Sequence, residues 1–287
     1  MTLLSIIFSV VFVITFAVLI YQRIQKNKLR TQLDKFINLV EALKKVLMIV
    51  QMHRGFTTTY LNHNQEFKDA IDEMKTLSDK LWSQMSSEHT ELTDDPLFIG
   101  LLNHWERLKV RWVNQTVDNN IEQHNRLIIN LLCLLDNQVK ENASFVNQGG
   151  INSITVLWRL LLETIESIAQ TRIIGNGIIS NRKSKKLDRN KLNYLMARTK
   201  FNLNQLNDSR ALFENINGMD SIEDNLLKST QNAEHFFEFV LKLLLKDTAQ
   251  NYSTEQLYDI STEVIEPLNQ LFDRTIELLK GGDMYKK

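Results

Sequence analysis

The sequence predicts an all-α chain, an N-terminal transmembrane helix followed by two coupled four-helix bundles, and three observations carry that reading. Nine glycines and two prolines are few for 287 residues, and long segments rich in Leu, Ile, Asn, Lys and Glu repeat their apolar positions at steps of three and four. Residues 3–21, LLSIIFSVVFVITFAVLIY, hold nineteen positions without a charge, enough for a helix to cross a bilayer. Gly149 and Gly150 then divide the remainder into halves that repeat one plan. The expected boundaries are residues 1–30 for the anchor and juxtamembrane segment, 31–148 for the first bundle and 149–287 for the second.

A cleaved signal peptide would carry positive charge before its apolar run, whereas only Met1 and Thr2 precede this one. Arg23, Lys26, Lys28 and Arg30 follow it. The positive-inside tendency therefore predicts a single-pass protein of the inner (plasma) membrane, held by residues 3–21, with its soluble part in the cytoplasm. A cleaved or periplasm-facing version is the alternative. No proline or glycine separates the apolar run from Leu43, so one helix is expected to continue through both.

A second helix reads from about Gln65 to Met85, with Phe67, Ile71, Met74, Leu77 or Ser78, and Leu81 on one side. Asp95 before Pro96 is a helix start, a capping side chain ahead of proline at the first helical position; Leu97, Leu101, His104, Leu108 and Trp112 line that helix. A fourth runs from about Asp118 to Phe145. After Gly150 come a helix bearing Arg172, a polar break at NRKSKKLD, and a helix capped by Asp188 that presents Leu192, Leu195, Phe201 or Asn202, and Leu206. The next spans about Ser221 to Ala249. The last opens at Ser253 with Gln256 in the capping-box position, ends at Gly281, and is expected to kink or break near Val264 because of Pro267.

Thirty-four basic and thirty-four acidic residues cancel, which argues against a nucleic-acid partner recognised through whole-domain charge. The basic run Arg182, Lys183, Lys185, Lys186, Arg189 and Lys191 reads as a solvated loop between helices. The lone Cys133, inside IINLLCLL, has no partner for an internal disulfide and reads as a core residue. None of the six histidines, His53, His63, His89, His104, His124 and His235, has a glutamate three residues before it, as a di-iron bundle needs, and none shows zinc spacing. No metal and no cofactor are expected. Phosphate loops, nucleophile elbows and cysteine–histidine nucleophile pairs are missing from the pattern, so the chain is not expected to be an enzyme. Trp82, Trp105, Trp112 and Trp158 read as packing residues, and His104 as a core histidine with its hydrogen bonds satisfied.

One stretch breaks the apolar pattern. Leu43, Val46, Leu47, Val50, Arg54, Thr58 and Leu61 share one helical face, so Arg54 points where a core should be. A guanidinium cannot shed its charge, and burying it without a partner is costly. It requires an anion or a buried carboxylate. The device recurs in the second half, where Leu161, Ile165, Ile168, Arg172, Gly175 and Ile179 run down one face. An arginine fork matches the coplanar oxygens of a small planar oxyanion. Gly55 would allow close approach beside Arg54, and Thr57 and Thr58 would offer hydroxyls. The alternative is that each arginine pairs with an internal carboxylate or carbonyl.

The stretch QMHRGFTTTYL resembles the opening helix of the nitrate- and nitrite-sensing domain family through Gln51, Arg54, Gly55, Thr57, Tyr60 and Leu61. AQTRIIGNGII resembles the family's mid-domain helix through Gln170, Arg172 and Gly175, with Thr171 in place of the usual acid. STEQLYDISTEVIEPL resembles a late segment through Ser253, Glu255, Tyr258, Thr262, Ile265 and Leu268; Leu257 stands where tryptophan is usual and Val264 where many members have arginine. The resemblance implies two four-helix bundles that sense nitrate or nitrite and relay the event. The expectation is therefore a sensory module binding a small anion through Arg54, Gly55, Thr57 and Thr58, with Arg172 as a second candidate. No output module is read before Lys287, so the signal is expected to pass through self-association or a protein partner. The alternative is a tethered helical scaffold or adaptor with no ligand.

Overall fold

A computed structural model describes residues 3–62, 65–142, 151–209, 220–244 and 252–281. Among these residues there are eight α-helices and three short 3-10 segments, and no strand. The helices are α1 Leu3–Leu61, α2 Lys68–Glu88, α3 Pro96–Arg111, α4 Val117–Glu141, α5 Ile151–Asn181, α6 Lys186–Asp208, α7 Asp220–Leu244 and α8 Thr254–Gly281. The all-α expectation and its order of helices hold. The Gly149–Gly150 boundary, His63 and the far ends expected for the fourth and seventh helices lie outside the described residues.

α1 is continuous for 59 residues and serves as the spine. Its C-terminal part packs on α2 and α4, with α3 against α4, while α5 packs on α6 and α8, and α7 on α8. One contiguous core joins both groups of four. Trp158 of α5 sits at the junction, fully buried between Phe36 of α1 and Phe272 of α8, with its indole N–H donating to Thr275 Oγ1 at 2.6 Å. Lys44 fastens α1 to α8 through Asp273 at 2.6 Å while lying over the Phe272 ring. The carboxylate and the aromatic face stand in for part of the water that a buried ammonium gives up.

Among the described residues no helix is long and apolar enough to cross a membrane. That finding overturns the span expected at residues 3–21, and with it the single-pass inner-membrane placement, the cytoplasmic orientation and the membrane partner. The side chains described in that stretch, Phe8 and Val11 to Tyr21, are exposed.

Caps explain the helix starts. Asp95 accepts from the backbone N–H groups of Leu97 and Phe98, ahead of Pro96. Ser253 and Gln256 exchange the two bonds of a capping box, at 2.9 and 3.1 Å. Asp188 corrects its expected role: α6 starts earlier, and the Asp188 carboxylate reaches back to the Lys185 N–H at 3.0 Å.

Two further expectations fail for clear reasons. Cys133 is exposed, because the buried face of α4 runs through Leu127, Ile128, Leu131, Leu134 and Leu135 and turns Cys133 outward. α8 continues unbroken through the buried Pro267. Proline lacks the N–H that would bond the Glu263 carbonyl, and α7 supplies the missing donor: Asn232 Nδ2 donates to Glu263 O at 2.8 Å, and Ser229 Oγ to Val264 O at 3.4 Å. All four tryptophans are buried, as packing residues should be. His104 is half-buried and bonds Gln123 at 3.1 Å.

Candidate functional site

Arg54 is fully buried where α1, α4 and α5 meet. Its guanidinium faces the carboxylate of Glu166 on α5, itself 5% exposed, in a two-pronged pair: Nη1 to Oε1 at 2.6 Å and Nη2 to Oε2 at 3.0 Å. Nη1 also donates to Asn125 Oδ1 of α4 at 2.6 Å, and Nε is left without a partner. Two amides complete the carboxylate's shell. Gln51 Nε2, one helical turn before Arg54, donates to Oε2 at 2.8 Å, and Gln170 Nε2, one turn after Glu166, donates to Oε1 at 2.7 Å. Four donations to one carboxylate in a dry setting are what make a buried ion pair tolerable.

The spacing rule places Arg54 in the core as expected, and it carries the signal for Glu166 too. Leu162, Glu166, Ala169 and Ile173 stand at steps of four and three on a buried face. The sequence reading left Glu166 out. Asn125 carried no such signal, since only the packing of α4 against α1 brings it to Arg54.

Thr57 and Thr58 are buried but turn away from the guanidinium. Thr57 Oγ1 donates to its own helix at the His53 carbonyl, and both hydroxyls accept from Asn120 Nδ2, at 3.0 and 3.2 Å. Gly55 has open space where a Cβ would stand, so no close approach requires it. Gly175 is different: a Cβ there would lie 2.4 Å from Leu257 Cδ2, so this glycine lets α5 and α8 close together.

Arg172 does not join the pair. It is half-buried, its guanidinium carbon 4.9 Å from the centroid of the Tyr258 ring on α8, and it forms no ion pair among the described residues. Burial lowers its pKa from the ordinary arginine value; the Tyr258 oxygen opposes that effect and the nearby Arg54 charge adds to it. Tyr258 and Leu257 therefore bring the late segment against the mid-domain helix.

A second polar cluster lies beside the first. His53 Nδ1 and His124 Nε2 are 2.8 Å apart, and His124 Nδ1 is 2.7 Å from the Asn120 carbonyl. A carbonyl only accepts, so His124 carries its proton on Nδ1 and receives the His53 Nδ1–H at Nε2. His53 Nε2 is then a buried acceptor with no partner, its ring edge-on to Trp105. Burial, with a smaller push from Lys75 against the pull of Asp72, lowers the His53 pKa to about 4; burial and then His53 hold His124 well below the usual imidazole range. The pair is neutral at physiological pH. Sequence spacing missed it because its members lie on different helices.

Together these features define an all-helical protein with a polar knot where its first, fourth and fifth helices meet. No protein-family model and no curated protein sequence matches the chain. Among solved structures, the fold is similar to that of the NasR transcription antiterminator, with a TM-score of 0.67 and 14% sequence identity over 93% of this chain and 74% of that one. The likeness establishes the fold.

Proposed function

We propose that the chain is a helical signalling module of the nitrate- and nitrite-sensing type in which an internal carboxylate has taken the anion's place, so that it acts through protein contacts, by self-association or with a partner, and catalyses no reaction. The observation that carries this reading is the two-pronged Arg54–Glu166 pair. A carboxylate presents two coplanar oxygens, as nitrate does, and here both are already bound by the arginine and by Gln51 and Gln170. A tethered group competes at a high effective concentration, so free anion at millimolar levels does not displace it. The sensing-type motif residues Gln51, Arg54 and Gln170 then serve to hold Glu166.

A second reading keeps the oxyanion but moves it to Arg172, which has the charge and lacks an acidic partner among the described residues. Calorimetry and thermal melting of the full chain with nitrate and nitrite separate the two. Under the first reading the wild type shows neither heat nor a shift in melting temperature, and Glu166→Ala gains nitrate-dependent stabilisation that a further Arg54→Ala removes. Wild-type binding abolished by Arg172→Ala would move the site to Arg172. Wild-type binding abolished by Arg54→Ala alone would overturn the internal-carboxylate reading.

A further inference from the structure

Between the C-terminal end of α1 and helices α4, α5 and α6 lies an open-mouthed cavity of about 890 Å³, within the range that holds a small organic ligand. Its lining combines apolar, amide and charged side chains. Buried and half-buried apolar side chains, Ile121, Ile173, Ile174, Ile178 and Leu195, make its floor. At the inner end stand Thr58, Asn125 and Gln170. Asn125 spends its oxygen on Arg54 and Gln170 its amide N–H on Glu166, which leaves the Asn125 amide N–H and the Gln170 carbonyl unbonded among the described residues.

The outer rim carries three lysines, Lys183, Lys185 and Lys191, and none forms an ion pair among the described residues. α5 is followed by Arg182 in the left-handed region at φ 49°, with the Lys183 N–H returning to the Ile178 carbonyl at 3.3 Å, and this turn leads into the lysine-bearing segment that lines the cavity. Three acidic residues also line the cavity. Glu122 pairs with Arg126, while Asp118 and Asp188 keep their charges, so the three lysines face two unpaired carboxylates and exceed them by one positive charge.

We propose that this cavity is a binding site for an amphipathic monoanion: an apolar body that lies on the isoleucine floor, with one carboxylate or sulfonate held by Lys183, Lys185 and Lys191. The site stands apart from the Arg54–Glu166 reading, since neither residue lines it. A strongly hydrated inorganic ion would gain nothing from the floor, and an uncharged hydrocarbon nothing from the rim. Gly177 gives the means of closing it, because a Cβ there meets nothing within 4 Å, so a large side chain would occupy the cavity without a clash at its root.

The test is calorimetry of the full chain with decanoate, and with decanol as the uncharged control of equal length. The expected result is saturable one-to-one decanoate binding, at least tenfold weaker decanol binding, and loss of saturable decanoate binding in Gly177→Phe. Because the three lysines are exposed, the triple change Lys183→Ala, Lys185→Ala, Lys191→Ala keeps the fold and weakens decanoate at least tenfold with little effect on decanol. The proposal is overturned if decanoate shows no saturable binding, if decanol binds as well as decanoate, or if neither the Gly177→Phe nor the lysine variant weakens binding.

Discussion

Arg54 of α1 and Glu166 of α5 bind each other by two hydrogen bonds, at 2.6 and 3.0 Å, inside the core that the two helical groups share. Each is the other's neutralising charge; Asn125 of α4 gives Arg54 one further acceptor, and Gln51 of α1 and Gln170 of α5 complete the shell of Glu166. Removing one partner strands a buried charge, which costs about 3–5 kcal/mol. Arg54→Ala and Glu166→Ala are each expected to lower stability by that order. The double variant Arg54→Ala/Glu166→Ala should lose less than the sum of the single changes, the difference being the coupling. Urea unfolding of the four proteins measures it; additive losses would show that the pair is not coupled.

The neighbouring histidine pair makes stability depend on acidity. The His53 pKa is depressed to about 4 in the folded protein and is ordinary, about 6.5, in the unfolded chain. The unfolded state therefore binds the proton first, and stability present above about pH 6.5 is lost as pH falls toward 4. The loss attached to His53 is roughly 3 kcal/mol, and His124, depressed in the same direction, adds to it. Chemical unfolding of wild type between pH 7.5 and 4.5 should show this decline. His53→Leu, which also removes the orphan acceptor Nε2, should flatten the part due to His53; an unchanged slope would assign the effect elsewhere.

What sequence could say about these clusters follows from how local each signal is. The steps of three and four placed Arg54 in the core, and the caps at Asp95 and Ser253, because both depend on residues within a turn or two. The partner of Arg54 and the pairing of His53 with His124 depend on helices far apart in the chain, and periodicity holds no register between helices. Glu166 lay within reach of the same test that found Arg54, yet only the packing of α5 on α1 shows that the two face each other. Cys133 falls one helical position off the apolar face, which passes through Leu134; of the two alternatives Phe201 and Asn202, the structure buries Asn202, beside Leu203, and leaves Phe201 exposed.

The two motif glycines should respond in opposite directions. Gly55 sits inside α1 with room for a Cβ, so Gly55→Ala gains helix propensity and is expected to raise stability by about 0.5–1 kcal/mol. Gly175→Ala places a methyl 2.4 Å from Leu257 Cδ2 and 3.4 Å from Leu243 Cδ1, and overpacking of this kind costs about 1–3 kcal/mol. Adding Leu257→Ala to Gly175→Ala should relieve the clash. Melting temperatures of the three variants against wild type check the order; a destabilised Gly55→Ala would mean that the position is needed for something other than backbone fit.

Pro267 offers the sharpest test of how this fold keeps its backbone satisfied. The Glu263 carbonyl has no partner within α8 because residue 267 has no N–H, and Asn232 of α7 donates to it at 2.8 Å. In the wild type, Asn232→Ala removes that donor and should cost about 1 kcal/mol, the usual net value of such a bond. In a Pro267→Ala background the backbone N–H regained at that position can close the ordinary helical bond to Glu263, so the same change at Asn232 should cost close to nothing. The double-mutant cycle isolates the term: coupling of about 1 kcal/mol between a side chain on α7 and an imino acid on α8 means that the α7 amide replaces the helical bond. Equal losses in the two backgrounds would show that Asn232 stabilises α7 in some other way.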